Sequence, residues 1–144
     1  MLQNFQSLNL REAVPEIIRG HSAEIVDYNL EQLKRGKSTN DDSIDPAYTS
    51  KEYADYKNSR NPMPGYGVPD LNFMGGFYSG FFVKVSKNIF ELGSTDEKSD
   101  FLEGKYSKNG GIFGLTDENK TNFAKDVVGP ALFSYIKEKT GLPR

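Results

Sequence analysis

The stretch from residue 70 to residue 94, DLNFMGGFYSGFFVKVSKNIFELGS, decides the fold class of this chain. Between Phe77 and Val85, aromatic and β-branched residues dominate alternate positions, a pattern typical of a β-strand. Residues 87 and 88 can form a two-residue turn, after which Ile89–Leu92 has the composition of a second strand. The stretch therefore predicts an antiparallel hairpin.

Apolar residues at helical spacing flank this hairpin on both sides. They predict a long N-terminal helix from Leu10 to Gly36, capped by Asn9, with Pro15 in its first turn or at a bend between two pieces. Thr116 is placed to cap a last helix, which Pro130 should kink because proline has no N–H to donate. We expect an α+β fold in which a small antiparallel sheet is packed by these two helices.

Residues 36–70 form a long polar loop, rich in proline and glycine, between the first helix and the hairpin. A short helix is expected inside it, beginning at residue 50 or 51 and ending at Lys57. Connections of this length are uncommon in compact domains and frequently carry interactions. We expect a single domain over residues 1–144, with residues 1–8 as a flexible arm and residues 36–70 as a loop insertion.

The composition excludes several classes of protein. The 144 residues contain no cysteine and one histidine, which excludes disulfide scaffolds, thiolate metal sites and multi-histidine centres. The net charge of −2 gives no global electrostatic reason to bind nucleic acid. No apolar run approaches the roughly 18 residues that span a bilayer, and no signal-peptide pattern is present. We expect a soluble protein made in a cytoplasm, with no membrane partner.

Acidic residues come closest to a catalytic or metal-binding pattern. Asp41, Asp42 and Asp45 cluster in the loop, but the segment DDSIDPAY lacks the glycine and the distal glutamate of a calcium loop. A small enzyme would require Asp41, Asp42, Asp70 and His21 in one pocket. No G-x-S-x-G elbow and no phosphate loop is present. The residues themselves therefore predict no catalytic residue, no metal ligand and no cofactor.

Four segments resemble small virion morphogenesis proteins of tailed phages: PDLNFMGGFYSGFFVKV, FELGSTDEKSDFLEGKY, GIFGLTDENKTNF and VVGPAL. These are neck, head–tail joining or tail-completion proteins, and the similarity is greatest to those of Bacteroidetes phages, including crAss-like ones. The residues that match are Gly75, Phe77, Tyr78, Phe81, Gly93, Ser94, Asp96, Lys98, Lys105, Tyr106, Ile112 through Leu115, and Pro130.

The resemblance implies a structural virion protein and no enzyme. Such a subunit would form a ring of six or twelve copies in the neck, as a head–tail connector, or in a tail terminator. Its partners would be copies of itself, the portal and adjacent neck or tail proteins, with DNA passing through non-specifically. The position in the neck and the copy number stay open. A non-catalytic, phage-encoded binding or adaptor module acting outside the particle is the alternative.

The candidate contact residues are apolar and tyrosine side chains outside the periodic core elements. Those in the loop interleave with cations, but neighbouring carboxylates cancel much of the positive field, so base stacking is the weaker interpretation. We expect contacts with other subunits or with the portal from Leu2, Phe5, Leu8, Tyr48, Tyr53, Tyr56 and Tyr66.

Overall fold

The structure, a computed structural model, describes residues 10–72, 75–86 and 89–141. Over these ranges it confirms an α+β fold, in which helices pack around one two-stranded antiparallel sheet. The predicted arm with Leu2, Phe5 and Leu8, the Asn9 cap and the turn at residues 87 and 88 lie outside the described residues. None of the helices within the described ranges is long and apolar enough to cross a membrane.

The long N-terminal helix is confirmed as two consecutive helices, α1 (Leu10–Gly20) and α2 (Ser22–Lys34). Pro15 lies inside α1, and the interruption falls at His21, whose backbone leaves helical geometry at φ −117° and ψ 28°. Gly20 directly precedes this break, in keeping with the low helix propensity of glycine. The two helices together present one apolar side to the rest of the chain.

The loop helix is also confirmed, as α3 (Lys51–Arg60), which is three residues longer than predicted. The Ser50 hydroxyl caps it by accepting a hydrogen bond from the Tyr53 N–H at 3.2 Å. Ile44 and Leu71, near the two ends of the polar connection, are 3% and 0% exposed. The connection is therefore anchored in the core at both ends.

The hairpin is present but shorter at its start than the alternation predicts. Strands β1 (Phe81–Ser86) and β2 (Ile89–Ser94) pair in a register from Phe81 opposite Ser94 to Ser86 opposite Ile89. The prediction of strand from Phe77 to Gly80 is wrong. Those residues follow Gly75, whose φ is 84°, into a helical turn, α4 (Gly76–Ser79). Phe77 and Phe81 are four residues apart, which suits a helical turn as well as a strand.

The C-terminal third contains α5 (Ser99–Lys105), a 3₁₀ turn (Lys108–Gly110), α6 (Asp117–Phe123) and α7 (Gly129–Thr140). The Thr116 cap is confirmed, because its hydroxyl accepts from the Asn119 N–H at 3.2 Å. The predicted kink is confirmed as a π-helical segment (Ala124–Val128) between α6 and α7. A wider turn fits here because Pro130 cannot donate to the carbonyl four residues earlier.

Two clusters of buried side chains form the core. The first joins α2, α4 and α5, and the second joins the N-terminal helices, the inner face of the sheet and α6. The rings of Phe77, Phe81 and Phe113 meet in the first cluster, with centroids 5.1 to 5.7 Å apart. The buried members are Leu33, Ile44, Leu71, Phe77, Leu102, Tyr106 and Ile112 in the first, and Ile18, Ile25, Leu115 and Phe123 in the second.

Candidate interaction surface

Three of the predicted contact residues are exposed on or beside α3: Tyr53 and Tyr56 lie on the helix, and Tyr66 bonds to its Asp55. Tyr53, Tyr56 and Tyr66 are 36%, 51% and 57% exposed, and Met63 beside them is 56% exposed. We call these four residues the tyrosine patch. Tyr48 differs, because it is partly buried and its ring stands edge-on to that of Tyr53, with centroids 4.9 Å apart. Tyr48 therefore supports the patch from below.

A buried ion pair fixes the helix that carries the patch. The Lys57 ammonium lies 2.7 Å from Asp70 Oδ1, and both side chains are at most 10% exposed. The same ammonium donates to the Asn72 carbonyl at 2.9 Å. Asn61 Nδ2 donates to Asp70 Oδ2 at 3.0 Å and to the Lys34 carbonyl at 2.8 Å. The inner side of α3 is thus tied to residues 70–72 and to the end of α2, and its tyrosines face outward.

The phenols around this ion pair stay neutral. Burial, followed by the charge of Asp70, raises the pKa of both Tyr48 and Tyr78. The Tyr78 hydroxyl also donates a hydrogen bond to the Asp70 carbonyl. On the surface, Tyr66 donates to Asp55 Oδ1 at 2.5 Å, and this bond raises the pKa of Tyr66 and lowers that of Asp55. Tyr66 consequently offers an uncharged phenol to a partner.

Two clefts open on either side of Tyr53. The first, with a volume of about 410 Å³, lies between residues 46–50 and α5, and we call it the aromatic cleft. The second, of about 820 Å³, runs along the other side of α3 beside Tyr56 and Arg60. The Arg60 guanidinium lies 5.1 Å from the centroid of the Tyr56 ring, so a cation covers part of that aromatic face. Tyr53 therefore stands as a ridge between two grooves.

Two of the acidic residues considered from the sequence form ion pairs. Asp70 is paired with Lys57, and Asp45 Oδ2 lies 3.0 Å from the Lys108 ammonium. His21 Nδ1 lies 3.3 Å from a carboxylate oxygen of the neighbouring turn of helix. Asp41 and Asp42 are exposed in a turn. Among the residues that the structure describes, no group of three or more histidine, aspartate or glutamate side chains could hold a metal ion.

Sequence reasoning missed a pair of buried amides on α2, which we call the amide clamp. Asn29 donates to the Ile112 carbonyl at 3.0 Å and accepts from the Gly114 N–H at 2.9 Å. Gln32 donates to the Gly114 carbonyl and accepts from the Thr116 N–H, both at 2.9 Å. The two side chains thereby satisfy four backbone groups of the segment that precedes α6. The only sequence signal for the amide clamp is the placement of Asn29 and Gln32, three residues apart, on the apolar face of the predicted helix.

Several residues that carry the resemblance to phage neck proteins lie in the interior. Phe77, Phe81 and Phe113 come from two distant segments and share one ring cluster. Gly75 supplies the left-handed turn before α4, and Tyr78 bonds the backbone of Asp70. These side chains specify packing around the hairpin, whereas the tyrosine patch lies outside them. Comparisons of the chain with models of protein families, with curated proteins and with solved structures give no match.

Proposed function

We propose that this protein is a structural subunit of a ring in the neck of a tailed phage, either in the head–tail connector or in the tail terminator, through which DNA passes. The observation that carries the proposal is the tyrosine patch, a set of exposed side chains on and beside a firmly anchored helix, in a chain whose motifs resemble those of phage neck proteins. The partners proposed for it are further copies of the chain, the portal and adjacent neck or tail proteins.

The chemistry of the patch suits a contact between proteins. Tyrosine is enriched at protein interfaces because it combines a large apolar ring with a hydroxyl that bonds well at a wet rim. Tyr56 and Tyr66 each leave more than half of their surface open. In a closed ring every head-to-tail contact is repeated around the axis, so a modest surface on each subunit is sufficient.

The charge of the chain agrees with passage of DNA without tight binding. Affinity for duplex DNA depends chiefly on the number of phosphates that lysine and arginine neutralise. This chain has 18 basic and 20 acidic residues, for a net charge of −2. A lumen built from such subunits would not retain the duplex that moves through it.

Quantitative peptide mass spectrometry of purified particles tests the proposal, with the portal as the internal standard. We expect a ratio of this protein to the portal near one to one or one to two, corresponding to twelve or six copies. Absence from particles, in cells that contain the protein, would contradict the virion role and favour the adaptor module acting outside the particle.

A matched pair of variants tests whether the tyrosine patch makes the contact. Tyr56→Ser combined with Tyr66→Ser should reduce incorporation into particles, because it removes two exposed rings from the patch. Phe133→Ser is the control, since Phe133 is 58% exposed but lies on α7, which packs against α1. Equal incorporation of both variants would show that assembly uses another surface.

A further inference from the structure

The aromatic cleft has the shape and chemistry of a small docking site. Leu102 and Tyr106, each 4% exposed, form its floor together with the ring of Tyr48. Tyr53 forms one side, and Phe101, which is 68% exposed, stands on the other. A volume of about 410 Å³ accommodates one or two apolar side chains.

The charged residues that line the aromatic cleft are all positive. Lys98 and Lys105 are both on its α5 side, and no carboxylate lines it. The Lys105 ammonium lies 5.9 Å from the Phe101 ring centroid and 5.4 Å from that of Tyr106. Neither ammonium forms an ion pair with another described residue. The cleft thus offers an apolar floor below two cations.

Asp45 and Asp55, two carboxylates near the cleft, are engaged elsewhere, and the carboxylates of Glu97, Asp100 and Glu103 do not line it. Asp45, next to the cleft wall, is paired with Lys108 at 3.0 Å. Asp55 on α3 accepts from Tyr66 and pairs with the Lys51 ammonium at 3.0 Å. The positive charge at the rim is therefore available to a ligand.

We propose that the aromatic cleft binds a short acidic peptide segment of a partner protein. An aromatic or branched apolar side chain of the peptide enters between Tyr53 and Phe101, and carboxylates on either side of it meet Lys98 and Lys105. The apolar floor selects the inserted side chain by burial, and the two cations select the charge of the flanking residues. This inference goes beyond the proposed function and does not depend on the chain being a ring subunit.

A peptide fits the cleft better than a nucleic acid does. The exposed carboxylates of Glu97, Asp100 and Glu103 occupy the same short helical region as the two lysines and repel an extended chain of phosphates. A peptide with two carboxylates requires only the two cations that the cleft supplies. The charges of such a peptide are confined to the residues beside the inserted side chain, so they do not have to approach the carboxylates of Glu97, Asp100 and Glu103.

Fluorescence anisotropy of labelled probes with the full-length protein tests the proposal. The main probe is the end-blocked peptide Gly-Glu-Phe-Asp-Gly; one control replaces its two acidic residues by lysine, and a second replaces phenylalanine by alanine. We expect the acidic aromatic peptide to bind with a Kd below about 1 mM and each control peptide to bind about tenfold more weakly. A single-stranded oligothymidylate serves as the nucleic-acid probe.

Variants of the protein make the test specific to the cleft. K98E with K105E should reverse the preference, so that the lysine-flanked peptide binds better than the acidic one. The control K84E with K125E causes the same change in net charge at exposed positions that do not line the cleft. Phe101→Ala should weaken binding several-fold, whereas Phe133→Ala, which removes another exposed ring beside a lysine, should not.

Three results would overturn the proposal. The first is equal binding of the acidic and lysine-flanked peptides, or no binding of either. The second is tighter binding of the oligothymidylate, lost in K98E with K105E, which would assign the cleft to nucleic acid. The third is failure of the peptide to bind, together with loss of a wild-type oligomer in K98E with K105E. That result would make the cleft an interface between copies of this chain.

Discussion

Asn29→Asp is the substitution that tests the amide clamp most directly. Asn29 is 0% exposed, donates to the Ile112 carbonyl at 3.0 Å and accepts from the Gly114 N–H at 2.9 Å. An ionised aspartate has the same shape and can still accept from Gly114, but it turns an oxygen lone pair toward the Ile112 carbonyl. The substitution therefore removes one hydrogen bond, creates a repulsive contact and buries a charge.

The expected loss of stability is large. One buried carbonyl left without a donor costs about 1–3 kcal/mol, and the buried charge adds to this, so we expect a loss of at least about 3 kcal/mol at pH 7. A domain of this length has a free energy of unfolding of roughly 7–20 kcal/mol, so the variant should still fold. With a urea m-value of about 2 kcal/mol/M, the midpoint of unfolding should fall by about 1.5 M.

The dependence on pH separates this explanation from a simple packing defect. Burial and the facing carbonyl should raise the folded-state pKa of the new carboxyl above its unfolded value of about 3.9. A raised folded pKa stabilises the protein fully below the unfolded pKa, and that stabilisation is lost as pH rises through the folded pKa. Because the protonated acid can donate to Ile112, the deficit relative to wild type should shrink between pH 7 and pH 4.

Urea unfolding followed by circular dichroism at pH 7 and pH 4 measures this effect. Asn58→Asp is the matched control, because it makes the same substitution at an exposed position of α3 and should change stability by less than about 0.5 kcal/mol. Equal midpoints for the two variants at pH 7 would refute the role of the clamp. A deficit of Asn29→Asp that does not change with pH would refute the charge argument.

Three further substitutions test other features of the structure. Asp70→Asn leaves the Lys57 ammonium buried without its counter-charge and should lower the free energy of unfolding by about 3 kcal/mol in urea denaturation. Gly36→Ala should lower the thermal midpoint by several degrees, because φ is +70° and the added methyl carbon would lie 2.5 Å from Pro64 Cβ. Tyr66→Phe removes the hydrogen bond that lowers the pKa of Asp55, so an NMR titration should show that pKa rising.

Each of these has a control or a contradicting outcome. Gly104→Ala places its methyl group in open space within α5 and should leave stability unchanged or raise it slightly. A smaller loss for Gly36→Ala than for Gly104→Ala would contradict the close approach to Pro64. An unchanged Asp55 pKa in Tyr66→Phe would assign the lowering to Lys51 instead, and a wild-type midpoint for Asp70→Asn would mean that the ion pair contributes little.

The sequence predicted features that depend on neighbouring residues. The Thr116 cap, the kink near Pro130 and the helix after Ser50 follow from local chemistry, and all three are present. The prediction of a strand from Phe77 to Gly80 was wrong because a spacing of four residues fits both a helix and a strand. The left-handed backbone of Gly75 directs these residues into a helical turn. The α+β fold class and the exposure of Tyr53, Tyr56 and Tyr66 could also be predicted from the sequence.

The remaining features depend on residues that are distant in the sequence. The partners of Asn29 and Gln32 are more than 80 residues away, so no local pattern shows that these amides are buried and bonded. The aromatic cleft likewise joins residues 46–50 to α5. Tyr48, Tyr53 and Tyr56 occur in similar polar sequence contexts. Only the tertiary structure shows that the ring of Tyr48 packs beneath that of Tyr53, whereas Tyr56 is exposed.

The ion pair beneath α3 also bears on how fast and how tightly a partner can dock. Binding normally costs free energy because side chains and loops lose freedom when they become ordered at an interface. Here Lys57, Asp70 and Asn61 hold the helix, and the bond from Tyr66 to Asp55 already restrains one ring of the surface. A partner therefore meets a preorganised template, and less of the gross contact energy is offset by ordering this chain.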